Sequence, residues 1–245
     1  WGAYGIHPYV LLNYQGTLDH VFTLAHEMGH ALHSYYSDSN QSYINAGYKI
    51  FVAEVASTCN ESLLIHYLLK NTDNKAEKAY LINHFLEQFK GTLYRQTMFA
   101  EFEKITHKMV EEGETLTSDI LCKVYYDLNK QYFGEDMVLD EEIALEWARI
   151  PHFYNPFYVY QYATGISAAI ALSKKIMEQG ETGVKDYMKF LTGGGSKDPI
   201  DLLKLAGVDM TTKEPIEKAL ELFKELLDQM EQSFLSIDTN ARGYL

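Results

Sequence analysis

Two histidines four residues apart enclose a glutamate in the stretch His26-Glu27-Met28-Gly29-His30. The pattern H-E-x-x-H lies in a run from Leu18 to Tyr36 with helical character. On a helix, positions i and i+4 sit about 40° apart and one turn along the axis, so both imidazoles can reach one metal ion. Glu27 is turned about 100° away from His26, which suits a general base acting on the attacking water rather than a ligand. The chemistry these types and spacings predict is metal-assisted hydrolysis, with zinc the expected ion at one per chain.

A catalytic zinc needs a third protein ligand. The next candidate segment, Ile50 to Glu61, is apolar and helical except for Glu54 and Glu61, which stand two turns apart on one face. A glutamate in an otherwise apolar helix is costly unless it is paired or bound to metal. Glu54 is therefore the expected third ligand, and Glu61 the group expected to hold a ligand imidazole in the right tautomer. His33 is a rival ligand by its place in the sequence. On a continuous helix, however, it lies roughly 10 Å along the axis from His26 and cannot share a metal with both other histidines. It is expected to support the site or pack.

The runs His26 to His33 and Phe51 to Ser57 resemble the thimet oligopeptidase and oligoendopeptidase F family of zinc peptidases, and oligoendopeptidase F more closely. The resemblance continues through Gly113 to Thr117, Ile150 to Tyr154 and Leu203 to Met210, and so covers nearly the whole chain. It implies a third ligand in the second helix, in agreement with Glu54, and oligopeptide substrates. Members of that family are much longer, with a helical portion ahead of the stretch matched here. The resemblance thus implies that this chain is a C-terminal catalytic fragment, read as a single catalytic domain over 1–245.

A second group of residues lies over a hundred positions downstream. His152 sits in a loop, and Tyr158 and Tyr162 follow at helical i, i+4 spacing. An imidazole and two phenols are suitable donors for the oxyanion formed during peptide hydrolysis. The resemblance likewise implies a histidine followed by tyrosines that meet the substrate. Tyr154 and Tyr160 are the alternatives for substrate contact. Near the start, Gly2 and Tyr4 precede a β-rich alternating stretch at 6–14, expected to form a ribbon along which an extended peptide could add.

Composition bounds the partners. The 245 residues carry 34 acidic against 21 basic side chains, a net charge of −13, which argues against nucleic acid or an anionic membrane surface as partner. Hydrophobic residues at 47% are ordinary for a soluble globular protein. The two cysteines, Cys59 and Cys122, have no metal-like or redox spacing and read as reduced thiols of a cytoplasmic protein.

The elements that must position these groups read as mostly helical. Thr17 is expected to cap the His26 helix, which runs to about Ser37, and a second helix covers 49–70. A long helix is expected over 75–112, another from Thr117 to Phe133, and a short one from Glu141. Asn155 and Pro156 read as N-cap and first residue of a helix carrying Tyr158 and Tyr162 and continuing to 178. Further helices are expected to Leu191, over 199–206 and over 214–235, followed by a frayed ten-residue tail.

The function this supports is zinc-dependent endopeptidase action on oligopeptides. Two rivals stay open. A carboxypeptidase would need a cation for the terminal carboxylate, with Arg95 the candidate, and an inactive zinc- or peptide-binding fragment would need no intact Glu27.

Overall fold

A computed structural model of the chain describes residues 2–241, with side chains to residue 233. It is built of helices: α1 (Leu18–Asn40), α2 (Tyr43–Ala46), α3 (Ala53–Asn71), α4 (Lys75–Gln88), α5 (Arg95–Glu111), α6 (Ser118–Phe133), α7 (Tyr160–Gln179), α8 (Glu181–Leu191), α9 (Pro199–Leu205) and α10 (Glu214–Ala241). The chain divides into two compact units, one of Trp1–Phe89 with Thr164–Leu245 and one of Lys90–Ala163.

Local sequence starts several of these helices. Thr17 accepts from the His20 N–H and Asp19 lies in the first turn of α1, where an acid favours the exposed backbone donors. Asn74 accepts from the N–H groups of Ala76 and Glu77 to begin α4, and Thr117 accepts from Ile120 to begin α6. In the first unit α1 lies along α3. A Cβ on Gly29 would fall 2.5 Å from Ser57 Cα and 2.7 Å from Ala56 O, so only glycine allows this approach. Beneath that contact, Val52, Val55, Ala56 and Cys59 pack with Ala169, Leu172, Phe190 and Leu203 from α7, α8 and α9. The second unit has its own core, in which Phe99 and Phe102 of α5, Tyr125 and Leu128 of α6, Ile150 and Val159 come together.

Three expectations are corrected here. Residues 6–14 form no ribbon: no strand occurs among the described residues, and Ile6, Tyr9, Val10, Leu11 and Tyr14 are all exposed. Alternation alone makes no strand without a neighbouring ladder, and Pro8 lacks an N–H to contribute to one. The long helix over 75–112 is interrupted by a π-helical segment, Phe89–Tyr94, at whose centre Gly91 has low helix propensity. The Asn155-Pro156 start does not open α7. Phe157 takes φ +59, outside the right-handed helical region, and α7 begins only at Tyr160. At the other end, α10 is described to Ala241, and residues 242–245 of the expected tail lie outside those described. Among the described residues, no helix is long and apolar enough to cross a membrane.

Candidate active site

The i, i+4 geometry of α1 and the close α1–α3 approach at Gly29 bring three groups together in the first unit. His26 Nε2 and His30 Nε2 are 3.1 Å apart, and Glu54 Oε2 from the first turn of α3 lies 3.2 Å from the former and 3.4 Å from the latter. Their three candidate ligand atoms all lie within 4.8 Å of one another. Ser57, one turn on in α3, donates its Oγ–H to Glu54 Oε2 at 3.1 Å and to the Glu54 carbonyl at 2.9 Å, which fixes the carboxylate. On the far side of the His26 ring, Nδ1 lies 3.4 Å from Glu61 Oε2. A proton shared on that edge leaves Nε2 free as a lone-pair donor, the arrangement a metal-binding histidine needs.

The donor set fits a divalent transition ion. Two imidazole nitrogens and a carboxylate oxygen converge within 4.8 Å of one another, and such a set suits zinc without selecting it uniquely. Glu54 and Glu61 both favour a proton on His26. Burial alone would depress that imidazole, but its hydrogen bonds to the two carboxylates outweigh burial and push it up to about 10. Burial would raise Glu54, and the two histidines more than cancel this, holding it well below the usual carboxylate range. Glu27, half-buried and one position along from His26, makes no hydrogen bond or ion pair among the described residues, so its carboxylate is available to accept a proton.

His33 is packed into the core beside this cluster. It is 1% exposed, its ring stacks on Tyr48 at 3.8 Å and packs on Phe190 at 4.9 Å, and its Nδ1 has no partner. Burial, then the nearby His30, pushes it down to about 3, so it packs as a neutral ring. Gly2 and Tyr4 line a cleft of about 550 Å³ with Ser34, Asp38 and Tyr48 of the same unit. Tyr4 is tied down by an O–H donated to the Gln41 carbonyl at 2.9 Å.

In the second unit His152, Tyr158 and Tyr162 form one cluster. Tyr162 Oη and His152 Nε2 are 3.3 Å apart, the Tyr158 and Tyr162 rings are 5.6 Å apart, and each lies 5.9 Å from the imidazole. Tyr158 precedes α7 rather than sharing its face. Tyr154 is 85% exposed and Tyr160 opens α7 with a half-exposed ring. Arg95 is occupied: its guanidinium meets the buried Glu146 at 2.5 Å, and Tyr125 donates to the other Glu146 oxygen at 2.6 Å. Sequence reasoning passed over Ser57, Tyr48, Glu146 and Glu103. Ser57 had a usable signal, as a hydroxyl one turn from an acid in an apolar helix. Glu146 had none that separates it from its acidic neighbours.

A helical fold that carries a His-Glu-x-x-His helix and brings an acid to it from a second helix defines the class of helical metallopeptidases. The model of peptidase family M3 matches residues 5–222, and the chain belongs to that family. It is 56% identical over 236 residues to oligopeptidase PepF of Bacillus subtilis, covering 96% of this chain and 35% of that protein. It is 45% identical over 231 residues to the chromosomal oligoendopeptidase F of Lactococcus lactis subsp. cremoris, covering 94% and 38%. Among solved structures it is similar to oligoendopeptidase-F from Enterococcus faecium, with TM-score 0.79 and 46% identity over 89% of this chain and 39% of that one. The chain thus spans under two fifths of these relatives' lengths.

Proposed function

We propose that this chain carries the catalytic centre of a zinc-dependent endopeptidase that hydrolyses internal bonds of oligopeptides. The observation that carries the reading is the convergence of His26 Nε2, His30 Nε2 and Glu54 Oε2, with Glu61 on the opposite edge of the His26 ring. These three residues would hold the ion, and Glu61 would keep His26 in the tautomer that presents Nε2. When bound, zinc supplies a Lewis acid that polarises the scissile carbonyl and makes the attacking water more acidic. Glu27 accepts the proton from that water and delivers it to the leaving amine. His152, Tyr158 and Tyr162 are assigned the oxyanion, as preorganised donors. Gly2, Tyr4, Tyr154 and Tyr160 are assigned contact with the peptide, and 1–245 is read as a single catalytic domain placed in the cytoplasm. The names of the relatives, oligopeptidase and oligoendopeptidase, support peptides as substrates. The engagement of Arg95 by Glu146 supports internal cleavage over the carboxypeptidase reading, in which Arg95 is the candidate cation.

The test is cleavage of an end-blocked, internally quenched peptide with and without a chelator, alongside metal content. The chain should cleave internally, lose activity with its metal and recover it on adding zinc. Glu27→Gln should keep the metal and lose turnover by at least roughly 10², since an amide cannot accept the proton. Near-normal turnover in Glu27→Gln would overturn the general-base role, and chelator-insensitive cleavage would overturn the zinc reading.

A further inference from the structure

The segment that carries His152, Tyr158 and Tyr162 leaves regular structure between Asn155 and Val159 and contains the described chain's non-glycine positive φ, at Phe157 (+59). A bulky L-residue rarely holds that conformation, because its Cβ crowds the backbone, and it persists where surrounding groups over-determine it. The group that does so is on α5. Glu103 Oε1 accepts the Phe157 N–H at 2.9 Å, and the Phe157 ring lies 4.6 Å from His107, one turn further along the same helix. At the other end of the segment, Phe153 packs against Phe99 at 5.5 Å and Phe102 at 5.3 Å. One face of α5 therefore grips the segment at two points, beside His152 and beside Tyr158.

Glu103 is not explained by packing or by ion pairing. Its residue is 4% exposed, and its second carboxylate oxygen, Oε2, is buried without a partner. A buried carboxyl with one unsatisfied oxygen is expensive to keep in a core of phenylalanines. Burial pushes it above the usual carboxylate range, with the Phe157 N–H and His107 pulling back.

We propose that Glu103 is a positioning residue. By accepting the Phe157 N–H it holds the left-handed turn that sets Tyr158, and with it the His152–Tyr158–Tyr162 donor cluster, in the geometry used on the oxyanion. The proposal rests on the endopeptidase reading for what the cluster does, but not for the existence of the clamp. Glu103 touches neither substrate nor reacting atoms. Its effect on rate comes through the placement of the tyrosines, and misplacement of a catalytic group by about 1 Å can cost on the order of 10² in rate.

The experiment uses the zinc-loaded chain with three changes: Glu103→Met, Glu103→Gln and the double variant Glu103→Met with Phe157→Asn. Three quantities are read: kcat and KM on the quenched peptide, exchange of the Phe157 amide by NMR, and metal content. Glu103→Met matches the length but cannot accept the bond. It should expose the Phe157 amide to exchange and lower kcat by roughly 10- to 100-fold, with KM and zinc little changed. Glu103→Gln keeps an acceptor oxygen and should keep both protection and turnover. Asn tolerates the left-handed region, so the double variant should recover most of the lost kcat. A mere loss of packing would not be repaired by that second change.

An amide equally protected in Glu103→Met overturns the clamp. A freely exchanging amide with kcat within twofold of the parent overturns its role in positioning. If the parent cleaves nothing, the endopeptidase reading falls, and the clamp is then judged on the His152 and tyrosine ring resonances. Unmoved resonances in Glu103→Met overturn it, and shifted ones that return in the double variant support it.

Discussion

His26 is placed between two acids, Glu54 on Nε2 and Glu61 on Nδ1, and this makes one proton the competitor of the metal. The two carboxylates, working against burial, raise its imidazole from an ordinary 6.5 to about 10. For a group raised in the folded state, the stabilisation is complete below the ordinary value and is lost as pH rises through about 10. A metal must displace that proton, so apparent affinity should climb about tenfold per pH unit between pH 7 and 9. Competition against a chromophoric chelator would measure it, and a flat affinity over that range would show that His26 is not the protonated partner. His33 illustrates the opposite case. Buried against Tyr48 and Phe190, its ring is held neutral.

At the scale of elements, the candidate centre depends on how closely α1 approaches α3. His26 and His30 come from one helix and Glu54 from the other, and Gly29 lies on the contact between them. In an isolated helix Gly→Ala is favourable by about 1 kcal/mol. Here the added Cβ would strike backbone at Ser57 and Ala56, which cannot rotate away, so the helices must separate. Gly29→Ala should therefore destabilise the chain by about 1–3 kcal/mol, as overpacking does, and weaken metal binding at the same time. Urea denaturation followed in parallel with metal titration tests this, and a variant as stable as the parent with equal metal affinity would show the approach is not required.

At the scale of the whole molecule, several large apolar side chains are left almost bare: Leu11 is 99% exposed, Val138 90% and Ile44 89%. Exposed apolar side chains that gather into larger patches mark surfaces for association. With these side chains exposed, the chain is expected to self-associate at micromolar concentration and to bind a hydrophobic dye in the native state. Sedimentation velocity reads the first, and a single monomeric boundary with no dye binding would remove the expectation. The net charge of −13 works against this association at low ionic strength, so the effect should grow with added salt.

What the amino-acid sequence determined by itself is what depends on near neighbours along the chain. The helix of His26 and His30, its Thr17 cap, the spacing that turns both imidazoles one way, and an acid out of place in the apolar run at Glu54 are all matters of local period and polarity. What only the tertiary structure decided involves partners remote in sequence. Residues 6–14 have the alternation of a strand but no ladder beside them, so they form none. Pro156 is suited to begin a helix, yet Glu103, more than fifty residues earlier, takes the Phe157 N–H and the helix starts at Tyr160. His33 sits one turn beyond a candidate ligand, and the stacking of Tyr48 settles its place. Arg95 is legible as a cation, but Glu146 decides that it is already paired. In each case the deciding contact is made by side chains that only the packed fold brings within reach, and a local pattern carries no information about which of them will arrive.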